Sequence, residues 1–303
     1  NVLLAVAECR FYGGVGDDCN PSNYTPPSPT PAAPLISLCS KVSQDSGATW
    51  SEIRNVTSYD WAQQPTMAWD AIRGRALLFF SRIYPEGRRE LMSMWTRNGL
   101  NWSQPLSHEV ALRALSPPRN GTVPGPGNLL VISRGRYRGR ILVPIYWGDC
   151  GVPSPVGEGC AAAIYSDDGG TTWTSSEIPA RGQGGHPGWY PYMGESVLTQ
   201  VATGEVILNM RNGAPAVGIH VPCACRGFSV SVDGGSTFGK LEYDRRLYDP
   251  QDIAGCQASM IAIDGGKQLV FSNPHSSTAR ANMTVLRANA TDLHNLAWSV
   301  RTA

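Results

Sequence analysis

The chain has 303 residues and a formal net charge of +1, with 33 glycines, 23 prolines and only 16% charged residues. That near-neutral balance gives no reason to expect a nucleic-acid or anionic-membrane partner. No apolar run approaches the roughly 20 residues needed to span a bilayer. The composition suits many turns and short strands, and no segment shows sustained helical periodicity, so the expectation is all-β.

The opening stretch NVLLAVAECR lacks a starting Met and a basic leader and is broken by Glu8. It reads as a strand of a domain cut open upstream, not as a signal peptide. LLAVAE and LISLCSK read as successive strands, and their connection carries Arg10, Asp17 and Asp18. Cys9 and Cys19 flank that loop, and a disulfide between them would brace it. Of the eight cysteines, Cys150/Cys160 and Cys223/Cys225 are also close in sequence, while Cys39 and Cys256 stand alone; spacing does not decide pairing. Metal-type Cys-x-x-Cys spacing is absent, so neither metal nor cofactor is expected.

A polar turn then recurs. SQDSGATW (43–50), YSDDGGTTW (165–173) and SVDGGSTF (231–238) share Ser-x-Asp-x-Gly-x-Thr-aromatic, and WTRNGLNW (95–102) and TDLHNLAW (291–298) are worn copies. Each intact copy follows a short apolar stretch. Asp and Ser can satisfy turn amides, Gly supplies a positive φ, and the closing aromatic plugs into a core. Asp45, Asp168 and Asp233 are therefore read as structural turn residues of an Asp box, not as a catalytic series. Between boxes lie plain hairpins, SVLTQV–ATG–EVILNM and QASMIAI–DGG–KQLVFS. Four antiparallel strands in each repeat of roughly sixty residues is the pattern of a β-propeller blade.

That topology sorts loops onto two rims. Boxes and plain hairpin turns share one; the connections from strand 2 to 3 and from 4 to the next blade share the other. Glu195 and Arg211 are equidistant from Thr203 at the hairpin turn and so become cross-strand neighbours on the second rim. SNPHSSTARA adds Arg280, GCQ adds Gln257, and the first connection adds Arg10 with Asp17 and Asp18. Converging arginines suit an anionic ligand, because the guanidinium fork binds a carboxylate bidentately, and the nearby acids are candidates for proton transfer. Six Asn-x-Ser/Thr sequons, at Asn23, Asn55, Asn101, Asn120, Asn282 and Asn289, together with the cysteines favour an oxidising, glycosylating compartment.

With LLAVAECR, the Asp boxes, GPGNLLVISRGRYRGRILVPIY, GESVLTQVATGEVILNMRN, GCQASM and FSNPHSSTARANMTVLR on the page, the chain resembles the exo-α-sialidases (neuraminidases), most closely their lysosomal and bacterial-like branch. The resemblance implies a six-bladed propeller, with about five blades in a single domain over 1–303. It implies cleavage of terminal α-linked sialic acid from glycoproteins, gangliosides or oligosaccharides with retention of configuration, in a secreted or lysosomal lumen. Arg211 and Arg280 match two of the three arginines that hold the sugar carboxylate, and Glu195 matches the base that activates a Tyr nucleophile. Asp18, with Asp17 beside it, corresponds to the general acid/base. The Arg-Ile-Pro motif of the first arginine and the Tyr are expected outside these 303 residues, so the chain reads as a fragment that would not turn over sialosides alone. Two alternatives compete: a catalytically inactive sialic-acid-binding propeller, or a trans-sialidase. A purely structural propeller would have no reason to gather Glu195, Arg211 and Arg280 on one rim.

Overall fold

The structure is a computed structural model and describes residues 2–11, 35–57, 61–115, 121–147, 160–176, 193–213, 222–250 and 255–301. Its strands form five sheets taken in chain order. Sheet 1 holds β1 (Leu3–Phe11), β2 (Leu35–Ser43) and β3 (Arg54–Asn55). Sheet 2 holds β4 (Ala62–Asp70), β5 (Arg75–Ile83), β6 (Arg89–Thr96) and β7 (Leu106–Ser107), followed by the short helix α1 (Glu109–Arg113). The short strands β8 (Val123–Pro124), β9 (Gly127–Asn128) and β10 (Leu130–Val131) lead into β11 (Ile141–Trp147), β12 (Cys160–Ser166) and β13 (Thr174–Ser175). Sheet 3 takes β8 and β10–β13, whereas β9 pairs in parallel with β4 of sheet 2. Sheet 4 is β14 (Met193–Gln200), β15 (Val206–Asn212), β16 (Cys225–Ser231) and β17 (Glu242–Tyr248). Sheet 5 is β18 (Ser259–Ile263), β19 (Gln268–Pro274), β20 (Met283–Asn289) and β21 (Ser299–Arg301).

This is the expected all-β arrangement of five propeller blades. Sheets 4 and 5 have four strands, sheets 2 and 3 have five because of the extra short pieces, and sheet 1 has three. Every residue of β11 and of β15 is buried. A strand buried on both faces must lie between two other layers, and the core accordingly runs between neighbouring sheets. Phe79, Ile145, Ala163 and Leu208 share one cluster across sheets 2, 3 and 4, and Val197, Leu247, Met260 and Phe271 join sheets 4 and 5. The inner strands approach closely. Thr66 Oγ1 donates to the Gly125 carbonyl, and Asn128 Nδ2 donates to the carbonyls of Leu198 (2.5 Å) and Met260 (3.3 Å). A Cβ on Gly125 would sit 2.1 Å from the Ser196 oxygen, so only glycine fits there.

Each box consumes its own acidic side chain. In the third blade Asp168 Oδ1 accepts from Ser166 Oγ (2.8 Å) and from the Thr172 amide (2.9 Å), and Oδ2 accepts from Thr172 Oγ1 (2.7 Å). Asp45 and Asp233 repeat this with Thr49 and Thr237. The bonds from Thr49 lower the Asp45 pKa to about 2, and those from Thr172 hold Asp168 well below the carboxylate range. In the worn second box Thr96 replaces Ser and Asn98 replaces Asp, with Asn98 Oδ1 taking the amides of Leu100 and Asn101, each at 2.9 Å.

The closing aromatic packs against the preceding sheet. Trp173 meets Phe79 and His108 of blade 2, and Trp298 Nε1 donates to Asp244 of blade 4 (2.7 Å). Trp50 departs from the expected plug and is 41% exposed, because sheet 1 has no preceding sheet among the described residues. Adjacent boxes are also tied together. Arg140 grips Asp167 through two bonds of 2.8 Å and donates to the Gly234 carbonyl (3.1 Å) and to Ser236 Oγ (2.7 Å) of the next box.

His108 reports the dryness of one such junction. Trp173 Nε1 can only donate, so Nδ1 of His108 is its acceptor (3.1 Å) and the ring proton sits on Nε2, facing Ser93 Oγ at 2.8 Å. Burial pushes its pKa down to about 4. Between the unfolded value near 6.5 and about 4 the unfolded chain binds the extra proton, so stability falls as pH falls through that window. The full effect approaches about 3 kcal/mol. Urea melts at pH 6.5 and pH 4.5 should show this loss, and His108→Phe should flatten that part of the profile while lowering stability at pH 7; an unchanged slope would show that His108 is not the responsible group.

Candidate active site

Strand register sets the two rims apart. At one end of β14–β15–β16, Gln200 pairs with Val206 and Val206 with Ser231, so the hairpin turn and the box share that end. At the other end Met193 pairs with Asn212 across a bulge, and Glu195 and Arg211 project there. Six residues of extended strand separate the ends, about 20 Å. Sheet 5 repeats the layout: Gln268 pairs with Asn289 beside the last box, whereas Pro274 pairs with Met283 at the end carrying Arg280.

Glu195 and Arg211 form an ion pair, Oε2 to Nη1 at 3.0 Å, with side chains 12% and 10% exposed. The Cys256 thiol lies close by, in the electrostatic field of Arg280, Glu195, Arg211 and Asp249; burial pushes its pKa up, and nearby Arg280 opposes that. Arg280 itself is exposed. Gln257 is exposed and donates from Nε2 to the carbonyls of Ala258 (2.9 Å) and Pro126 (3.3 Å). The expected pair, Arg280 and the Gln257 segment therefore sit at one end of sheets 4 and 5. Arg10 lies on blade 1, near the end of β1 away from its box, and is bonded to Glu8 (2.7 Å), whose other oxygen accepts from the Gln64 amide (2.6 Å). Asp17 and Asp18 lie outside the described residues. Among the described residues no group of three or more His, Cys, Asp or Glu could hold a metal ion, and no helix is long and apolar enough to cross a membrane.

The cysteines require a correction. Cys9 is bonded to Cys39, not Cys19, with Cα atoms 5.9 Å apart. The β1–β2 register places Cys39 opposite Ala7 and Cys9 opposite Ser37, so the two sulfurs are diagonal neighbours on one sheet face, a proximity that separation along the chain hides. Cys223 and Cys225 are bonded to each other, and Cys256 is free; Cys19 and Cys150 lie outside the described residues.

Sequence reasoning missed the pair beneath the rim. Arg226 and Asp249 are both fully buried, with Nη1 to Oδ2 at 3.3 Å. Arg226 also donates from Nε to Asn209 Oδ1 (2.9 Å) and from Nη1 to the Cys256 carbonyl (2.6 Å). Asp249 accepts the amides of Asn212 and Cys256, each at 2.8 Å. It therefore joins the strand end carrying Arg211 to the connection carrying Gln257. Desolvation pushes the Asp249 carboxyl up and the Arg226 guanidinium down, each opposed by the other's charge. Breaking such a pair by removing one partner typically costs about 3–5 kcal/mol.

No protein-family model matches the chain. It is 27% identical over 196 residues to a sialidase of Micromonospora viridifaciens, covering 63% of this chain and 26% of that protein. It is 30% identical over 169 residues to the anhydrosialidase of Macrobdella decora, covering 53% of this chain and 18% of that one. The chain thus spans about a quarter or less of the curated relatives it matches. Among solved structures, the NanB sialidase of Streptococcus pneumoniae superposes with a TM-score of 0.69 at 15% identity, covering 98% of this chain and 58% of that one.

Gly255 offers a direct probe of the packing around the pair. Its φ is +85°, and a Cβ there would lie 2.8 Å from Asp249 Oδ1 and 2.9 Å from Arg211 Cγ. Gly255→Ala should therefore lower the unfolding free energy by about 2 kcal/mol, measured by urea titration; a loss under about 0.5 kcal/mol, the range of ordinary surface substitutions, would show that the contact is slack.

Proposed function

We propose that this chain, a sialidase-family β-propeller, forms the sugar-binding rim of an exo-α-sialidase that removes terminal α-linked sialic acid with retention of configuration. One observation carries the reading: the Glu195–Arg211 pair at 3.0 Å, on the rim away from the boxes, at the end where the connection carrying Arg280 also lies. Sialic acid bears a carboxylate on its anomeric carbon, and a guanidinium fork is the side chain that matches such a group. In this reading Arg211 and Arg280 hold that carboxylate, with Arg10 and Gln257 at the border of the site.

Chemistry at such a carbon differs from the two-carboxylate scheme of most glycosidases. A carboxylate nucleophile would meet the like charge of the substrate. A neutral phenol that passes its proton to Glu195 during attack avoids that repulsion, and Asp18 or Asp17 would protonate the departing glycosidic oxygen. The role of Glu195 draws on the family resemblance and on its place at the rim; those of Asp17 and Asp18 draw on the resemblance alone. The substrates in view are sialylated glycoproteins, gangliosides and oligosaccharides. The disulfides Cys9–Cys39 and Cys223–Cys225 support an oxidising, secreted or lysosomal setting. The likeness to an anhydrosialidase favours one second reading, in which the same rim carries out transfer within the sialic acid itself.

The test uses protein made from the complete coding sequence and a fluorogenic sialoside, with the product followed by proton NMR. Free sialic acid released first as the α-anomer is expected; an anhydro sugar would select the second reading. Glu195→Gln should lower kcat by about 100-fold or more, and Arg211→Lys should weaken binding of the unsaturated glycal of sialic acid by about 100-fold, because Lys keeps the charge but loses the fork. Glycal binding without turnover would leave a lectin-like propeller, and the absence of both would overturn the proposal.

A further inference from the structure

The charges at the rim extend one strand beyond the pair that faces solvent. β15 and β16 pair as far as Met210 and Gly227; Arg211 and Arg226 are the next residue of each strand at that end, and each guanidinium lies in the other's field. Glu195, Arg211 and Arg226 therefore form a row across β14, β15 and β16. Like charges directly opposite each other on adjacent strands destabilise a sheet, yet here two guanidiniums adjoin. Their compensation is Glu195 on one side, 3.0 Å from Arg211, and Asp249 on the other, 3.3 Å from Arg226. The four formal charges sum to zero.

The two halves differ in access. Arg211 and Glu195 are 10% and 12% exposed, whereas Arg226 and Asp249 are 0% exposed and cannot touch a ligand. Arg226 Nη2 is buried without a hydrogen-bond partner, so the guanidinium is held here although both Nη2 donors go unused. The Asp249 carboxylate and the Arg211 stem flank the same glycine, since a Cβ on Gly255 would lie 2.8 Å from Asp249 Oδ1 and 2.9 Å from Arg211 Cγ, and Asp249 feels the Arg211 charge. A buried carboxylate in that position is a competitor for Arg211 unless another cation engages it.

We infer that Arg226 and Asp249 are a positioning pair for anion recognition: Arg226 engages Asp249 so that Arg211 keeps its attraction for the carboxylate of an incoming sugar. This rests on the proposed sialidase reading. Loss of Arg226 leaves the cluster one charge more negative and turns Asp249 toward Arg211. Loss of the Asp249 charge leaves it one charge more positive. A pair that served packing alone would weaken binding in both cases.

The experiment is calorimetric titration of 2,3-didehydro-2-deoxy-N-acetylneuraminic acid into protein from the complete coding sequence, with folding checked by near-ultraviolet circular dichroism. Arg226→Gln should raise Kd at least tenfold. Asp249→Asn, which keeps an acceptor oxygen, should leave Kd within threefold or lower it, and the Arg226→Gln/Asp249→Asn double variant should recover to within threefold. Equal weakening by both single variants, or no recovery in the double, overturns the inference. If Arg226→Gln does not fold, the other two variants decide, and a tenfold loss in Asp249→Asn overturns it. If the unaltered protein does not bind the glycal, the sialidase reading itself fails, and the inference with it.

Discussion

A sheet that is apolar on both faces cannot stand at a surface, and this constraint organises the molecule. β11 and β15 are buried along their whole length, so each needs a layer on either side. Stacking sheets face to face around an axis meets that need while leaving strand ends free. Hydrophobic burial then fixes the body of each blade and says nothing about its ends. The ends are where polar chemistry can differ, and the two rims are used differently.

On the box rim, acidic side chains are spent locally. Asp45, Asp168 and Asp233 each close their own turn, and Arg140 ties one box to the next. On the other rim the polar contacts reach between distant segments. Asp249 accepts from Asn212 and Cys256, and Arg226 donates to Asn209 and Cys256. Buried polar groups that are well partnered define one geometry, because alternatives leave them unsatisfied in a medium where that is costly. The pattern suits a rim that must hold a guanidinium in place rather than merely shut a turn.

How much of this could be read in the chain depends on sequence range. The boxes were legible because Ser, Asp, Gly and Thr act within about five residues of one another. The Glu195–Arg211 pair was legible because a tight hairpin converts equal distance from Thr203 into adjacency. Cys9–Cys39 was not, since the β1–β2 register sets it and the connection between those strands hides that register. Arg226 follows Cys225 in a strand and reads as an ordinary charge until Asp249, from beyond the next strand, is brought under it. Trp50 fits the aromatic position of its box, but its burial depends on a neighbouring sheet, which no local pattern encodes.

The β14–β15 hairpin has an implication for how such a rim can change over time. The end carrying Glu195 and Arg211 is positioned by counting residues from a turn at the opposite end, so the two are coupled chiefly by length. Substitutions at the exposed turn residues Ala202 and Thr203 leave that count unchanged, whereas a single inserted or deleted residue within either strand sends Glu195 or Arg211 to the wrong face. Lineages carrying this hairpin should therefore keep the spacing from 195 to 211 constant even where the exposed letters of the turn change. The connections on that rim, which are not counted in this way, are free to grow and shrink.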